Sequence, residues 1–436
     1  MYFLILLFIA LWVRDIPKKP DAFNITLQQL TKTGEYGDPR YFATAAIDIA
    51  EHGWISSANE WIFNLWPPGF ILLEASIMKV LGPEAPVILV LQILAAVLFT
   101  TILVLLYELL STWAKNKAAF ALPLLIFAFP VSRVHLLQPT GIAFGESFSI
   151  GFFMIFMLLA FRSAERKTLH HAVYAGLCLA LSAYFRSQFE IILLALTAWG
   201  ILLVIAIQLT HLRKSSESNL VKSVVKTIAV ALFVAHAATI PWRLYHKIYQ
   251  GNPSWVQTSD IVFINAVTSS ARLIEKGGEF IFDGAGNLVC RIDPAACDDT
   301  VNAKKLFIKT FLEHPIDWYS LKYDVISQYW YSSVENWTNV RIESTSIDLV
   351  ANGLSLIALL AVIALLLTRK VRSHGSWILL IWFTISLFSA YMLIFTVAHF
   401  EVRYFYFPKI AGIAMLLIVA GLYCRPITKI ETGNNQ

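Results

Sequence analysis

One carboxylate in a glycine-rich turn and a set of cations at the ends of apolar segments carry the chemistry open to this chain. Asp38 lies in Gly34-Glu35-Tyr36-Gly37-Asp38-Pro39-Arg40-Tyr41, where two glycines and a proline dictate a turn. Its bland role is to cap the helix that follows, with Pro39 at the first helical position. Its sharper role is a catalytic carboxylate at the mouth of a membrane cavity, with Tyr41 a substrate contact. Arg186, Arg243, His246, His399, Arg403 and Lys409 fall at the expected outer ends of apolar segments. Arg403, followed by Tyr404, is the first choice for a phosphate, because its planar fork binds two oxygens. Lys409 stands about six residues into the last apolar segment, a costly depth unless it meets an anion. Glu146 opens another such segment, so it has to face protein or water, and it can pair with these cations. The ordinary alternative for each cation is snorkelling to lipid headgroups, and for His399 it is orienting neighbours. A carboxylate and several cations at one face suit chemistry on an anionic substrate, whose charge needs cations or aimed donors.

The scaffold that must hold these groups is a membrane protein. Hydrophobic residues make up 57% of the 436 and charged residues 14%, against roughly 45–50% and about 25% in soluble domains. Mean hydropathy is +0.64. Apolar runs near 1–13, 86–110, 118–132, 143–161, 172–185, 188–209, 227–241, 346–368, 376–397 and 404–423 give about ten expected spans. The first is expected to be an uncleaved span rather than a signal peptide, since no basic residue precedes it. Lys115, Lys117, Arg162, Arg166, Lys167, Arg213, Lys214, Lys222, Lys226, Arg369, Lys370 and Arg372 fall in alternate short loops, which puts those loops in the cytoplasm. Arg14, Lys18 and Lys19 conflict with this pattern, on a loop long enough to translocate. The net charge of +5 therefore reflects orientation rather than nucleic-acid binding.

Two long segments, 14–85 and 242–345, then face outward, and three parts follow: 1–241, a transmembrane module bearing the Asp38 loop; 242–345, an outer segment; and 346–436, the last spans and a cytoplasmic tail. In the first loop, Tyr41–Ala50 reads as a half-buried helix stopped at Gly53, and 70–81 as an apolar helix stopped by Gly82-Pro83. The second segment holds Trp242, Trp255, Trp318, Trp330 and Trp337, suited to sugar rings and, more commonly, to the membrane interface. A helix is expected from Asp299-Thr300 to His314-Pro315. Cys290 and Cys297 can close a small disulfide on an oxidising face, whereas Cys178 and Cys424 fall in spans as packed thiols. No zinc-ligand spacing, phosphate-cradling glycine loop or internal repeat is present in the sequence.

Five stretches, in this order, resemble the GT-C superfamily of polyprenyl-phosphate-sugar-dependent glycosyltransferases, in the branch of bacterial protein mannosyltransferases and lipid A aminoarabinose transferases. They are the Asp38 turn with Trp66-Pro67-Pro68-Gly69; Gln138 to Glu146; Gly176-Leu177 with Tyr184-Phe185-Arg186; Pro241-Trp242-Arg243; and His399-Phe400-Glu401-Val402-Arg403-Tyr404. Asp-Pro stands here for the common Asp-Glu, Ser187 replaces a proline, and 265–340 shows no match. The resemblance implies Asp38 as base in an inverting transfer of a hexose or pentose from polyprenyl phosphate. The acceptor would be an envelope glycan, lipid or protein at the outer face of the cell inner membrane. Some members use a divalent ion; with one strong carboxylate and no Asp-x-Asp set, metal independence and no cofactor are expected. A transporter or flippase for lipid-linked sugars is the alternative, disfavoured by the large outer segments and the lack of repeated halves.

Overall fold

The computed structural model describes residues 2–13, 16–17, 23–32, 38–113, 145–209, 218–249, 273–276, 279–282, 289, 292–296, 302–331, 334–336, 341–343, 346–368, 376–397 and 402–424. Helices dominate. The N-terminal half runs α1 (Tyr2–Val13), α2 (Leu27–Lys32), α3 (Asp38–His52), α4 (Trp61–Leu65), α5 (Gly69–Leu81), α6 (Val87–Ser111), α7 (Glu146–Arg166), α8 (Leu169–Phe185), α9 (Gln188–Leu209) and α10 (Ser218–Tyr249). Then follow hairpin β1–β2 (Leu273–Lys276 and Glu279–Phe282), α11 (Ala303–Glu313), α12 (Pro315–Tyr331), hairpin β3–β4 (Val334–Asn336 and Arg341–Glu343), α13 (Ser346–Leu366), α14 (Trp377–Val397) and α15 (Tyr406–Cys424).

Among the described residues, six helices are long and apolar enough to cross a bilayer: α6, α7, α9, α10, α14 and α15. The expectation of about ten spans is corrected accordingly. The apolar stretches of α1, α8 and α13 that meet the composition are shorter, Phe3–Trp12, Leu169–Phe185 and Ser355–Leu366. At 1.5 Å per residue the 17 residues of α8 reach about 25 Å, short of a hydrocarbon core of roughly 30 Å. The expected span at 118–132 lies outside the described residues. The two hairpins also depart from an all-α expectation, each an antiparallel pair within 242–345.

Helix α7 is the hub, packed on α6, α8 and α10, with Phe153 on Phe407 and Phe156 on Phe383. Helices α9, α13 and α14 turn Ile201, Leu202, Ile205, Ile357, Leu360, Phe388 and Leu393 outward, the side chains that lipid would cover. A second core joins the first loop: Phe42, Ala46 and Ile49 of α3 bury against Phe70, Ile71 and Ala75 of α5. The glycine stops hold. Gly53 has φ +82° and donates to the Ile49 carbonyl, and Gly82 has φ +94° and donates to Met78, conformations open to glycine because no Cβ clashes.

The expected end of the span at residue 241 is wrong. Helix α10 continues through Pro241 to Tyr249, so Trp242, Arg243 and His246 stand on a helix rather than in a loop. Proline costs a helix the donor to the carbonyl four residues back, here Ala237. The Tyr184 hydroxyl donates to the next carbonyl, Ala238, at 2.9 Å, the kind of outside donor that lets a membrane helix tolerate proline.

Candidate functional site

The first loop is seated by two glycines. A Cβ on Gly69 would stand 2.6 Å from the Tyr184 carbonyl oxygen, so only glycine lets the start of α5 touch the end of α8. Gly145, at φ +76°, caps α7, and a Cβ there would meet the Phe70 ring at 3.2 Å. Phe70, Phe148 and Phe185 fill the junction, with Phe148 stacked on Phe185 at 5.4 Å. Directly beside them Arg186 Nη2 lies 2.7 Å from Glu146 Oε1, with both side chains at 10% exposure or less. Each charge satisfies the desolvation demand of the other. The expected headgroup-facing alternative for Arg186 is therefore not what is found.

A second buried pair adjoins the first. Arg243 Nε donates to Glu190 Oε1 at 2.9 Å. Arg243 Nη1 stands 3.0 Å from His236 Nδ1, and since the guanidinium only donates, Nδ1 accepts. His236 Nε2 then donates to Thr197 Oγ1 at 2.8 Å, and that hydroxyl donates to the Leu193 carbonyl. A polar thread so runs from the end of the bundle into its apolar middle. Trp242 and Tyr245 carry α10 onto Phe63 of α4, and the Tyr245 hydroxyl donates to Glu60 at 2.9 Å. His246 is 4% exposed, edge-on to Trp242 at 4.5 Å, with neither ring nitrogen hydrogen-bonded among the described residues.

Asp38 occupies the first turn of α3 and is half-buried. Phe42, one turn on, meets Phe70 at 5.9 Å, which ties the Asp38 helix to the Glu146–Arg186 junction. Tyr41 is exposed, its ring 5.1 Å from Trp61 and stacked on Trp66. Arg403 and Tyr404 lie in the 3-10 turn Val402–Phe405 ahead of α15. Phe407 packs between Phe153 and Phe189 at 4.8 and 4.9 Å, one residue from Glu190. Lys409 is fully buried, its ammonium 5.6 Å from the centre of the Trp330 ring. Helices α11 and α12 dock at the same end, through Trp318 Nε1 donating to the Thr396 carbonyl. Trp318 is fully buried, so it is a core residue and not an interface or sugar-stacking ring.

The described residues of four motifs, Gly69, Glu146, Tyr184 to Arg186 and Trp242, thus gather at one end, and the turn Val402–Phe405 leads into Phe407, which packs on Phe153 and Phe189. His399, Cys290, Cys297, Trp255 and Trp337 lie outside the described residues. Cys424 is exposed, contrary to the packed thiol expected, because it ends α15. The sequence reading missed Glu190, His236 and Thr197. The available signal was an ionisable residue four positions after Arg186 in an apolar run, and a histidine two turns before Arg243 on the same face. The opposite end of the bundle carries its own polar contacts, Arg162 with Glu108 and Ser376 with Glu165. No family model, curated protein or solved structure matches this chain.

Proposed function

We propose that this chain is an inverting glycosyltransferase that takes a sugar from a polyprenyl-phosphate donor at the outer face of the cell inner membrane. The carrying observation is convergence: the Asp38 helix, the Glu146–Arg186 pair and the Glu190–Arg243 pair share one end of the bundle through Phe42, Phe70 and Tyr184. In this reading Asp38 accepts the proton of the acceptor hydroxyl. The hydroxyl oxygen forms its bond to the anomeric carbon from the face opposite the phosphate. The carbon–oxygen bond to the phosphate breaks, its electron pair leaves with polyprenyl phosphate, and the configuration inverts.

The geometry divides the cations. Arg186 and Arg243 are held against carboxylates inside the protein, so their work is to lock α7, α8, α9 and α10 together at this end. The phosphate is assigned to Arg403, in the turn ahead of α15, with Lys409, whose ammonium lies over the Trp330 ring. To test the reading, full-length protein in nanodiscs is given a panel of polyprenyl-phosphate hexoses and pentoses with membrane glycans as acceptors. Release of polyprenyl phosphate that depends on acceptor supports transfer. Donor that crosses the bilayer intact identifies a flippase instead.

A further inference from the structure

Tyr41, Trp61 and Trp66 form a three-ring cluster, with centroids 5.1, 6.1 and 6.4 Å apart. Tyr41 is 38% exposed and Trp61 41%. An amphipathic helix lying in lipid would present its continuous apolar stripe outward. Helix α3 does the reverse: Phe42, Ala43, Ala45, Ala46 and Ile49 are all buried against the protein. Its outward side chains are Arg40, Tyr41, Glu51 and His52, and beside Trp61 on α4 stands exposed Asn64. Over residues 38–68, the large apolar side chains left exposed are Tyr41, Trp54 and Trp61, all aromatic. Aliphatic exposure resumes only on α5, at Leu72, Val80 and Leu81.

Flat rings set among charged and amide side chains offer the two surfaces that a sugar requires. A pyranose has an apolar face of C–H bonds and an edge of hydroxyls, so it stacks on an aromatic ring while polar neighbours bind its rim. The cluster also stands where an acceptor has to arrive, since Tyr41 lies one turn from Asp38 on the same helix.

We infer that Tyr41, Trp61 and Trp66 form a carbohydrate-stacking subsite that holds a glycan acceptor beside Asp38. The inference deepens the proposed transferase reading and rests on it for the role of the bound glycan. The acceptor class is then an oligosaccharide, free or as the headgroup of a glycolipid, rather than a protein side chain.

The test uses full-length protein in nanodiscs on an array of soluble oligosaccharides, with no donor present, so binding is scored apart from turnover. Wild-type protein is expected to hold at least one oligosaccharide. Trp61→Ala weakens it roughly tenfold, and Trp61→Phe, which keeps a ring, loses only a few-fold. Hydroxyl-radical footprinting of the wild type is expected to oxidise Tyr41 and Trp61 from water, with protection by the bound oligosaccharide. An array without binding, binding indifferent to Trp61→Ala, or a Trp61 that lipid shields from oxidation each overturns the subsite. Glycan binding without any sugar transfer leaves the subsite standing and removes the transferase reading. Transfer to a peptide alone does the opposite.

Discussion

Ionisable side chains in this protein differ most in how they are partnered. Glu146 and Arg186 face each other inside the protein, so removing either deprives a buried charge of this counter-ion. Arg186→Ala is expected to cost about 3–5 kcal/mol, whereas exchanging both for methionine costs much less. Denaturant unfolding in detergent, followed as a double-mutant cycle, reads the difference. Glu74 is the contrary case: it is fully buried on α5, and among the described residues neither carboxylate oxygen has a hydrogen-bond partner. Burial holds its carboxyl well above the ordinary value of 4.5. The folded protein then binds more protons than the unfolded chain above that value, so its contribution is full at lower pH and falls as pH rises. Glu74→Gln is expected to flatten the decline of thermal stability between about pH 5 and 8. An unchanged slope would show that Glu74 is not the group that titrates.

Asp48 runs the other way. Burial opposes its charge, but hydrogen bonds from Ser56 and Asn59, with His52 nearby, outweigh it and hold the carboxyl below the ordinary 3.8. A depressed carboxyl stabilises above its unfolded value and loses that contribution as pH falls through its folded value. The turn at 53–60 is expected to open to proteolysis below about pH 4, earlier in wild type than the rest of the protein, and at neutral pH already in Asp48→Ala.

Helices and turns were legible where glycine or hydrophobic period fixed them. The stops at Gly53 and Gly82 and the span of α9 fall where the sequence puts them. Helix α11 likewise ends before His314-Pro315. The run of α10 through Pro241 was not legible, because the donor near the freed carbonyl is Tyr184, a side chain 57 positions earlier in the chain. The partner of Arg243 was hidden for the same reason: pairing across helices leaves no local pattern. Seating of the first loop belongs to this scale as well. In Gly69→Ala the new Cβ meets a backbone oxygen, which cannot rotate away, so a loss of about 1–3 kcal/mol and weaker docking of α5 are expected. Gly53→Ala meets open space and costs only the strain of its positive φ, about 1 kcal/mol. Equal losses for the two would contradict this packing account.

At the scale of the molecule, composition was enough to establish a multi-pass membrane protein, and span count was not. Short helices such as α1 and α8 look like spans in hydropathy yet fall short in length. The order of the motifs gave no sign that Arg186 and Arg243 would be neutralised by Glu146 and Glu190. In the proposed reading the chemistry falls to the Asp38 carboxylate, with Arg403 and Lys409 at the phosphate. The most direct measurement is acceptor-dependent release of polyprenyl phosphate by wild-type and Asp38→Asn protein in nanodiscs at matched amounts. The account predicts turnover for wild type and a fall of about 10²- to 10⁴-fold for Asp38→Asn, with donor binding retained. Near-wild-type release by Asp38→Asn would contradict it.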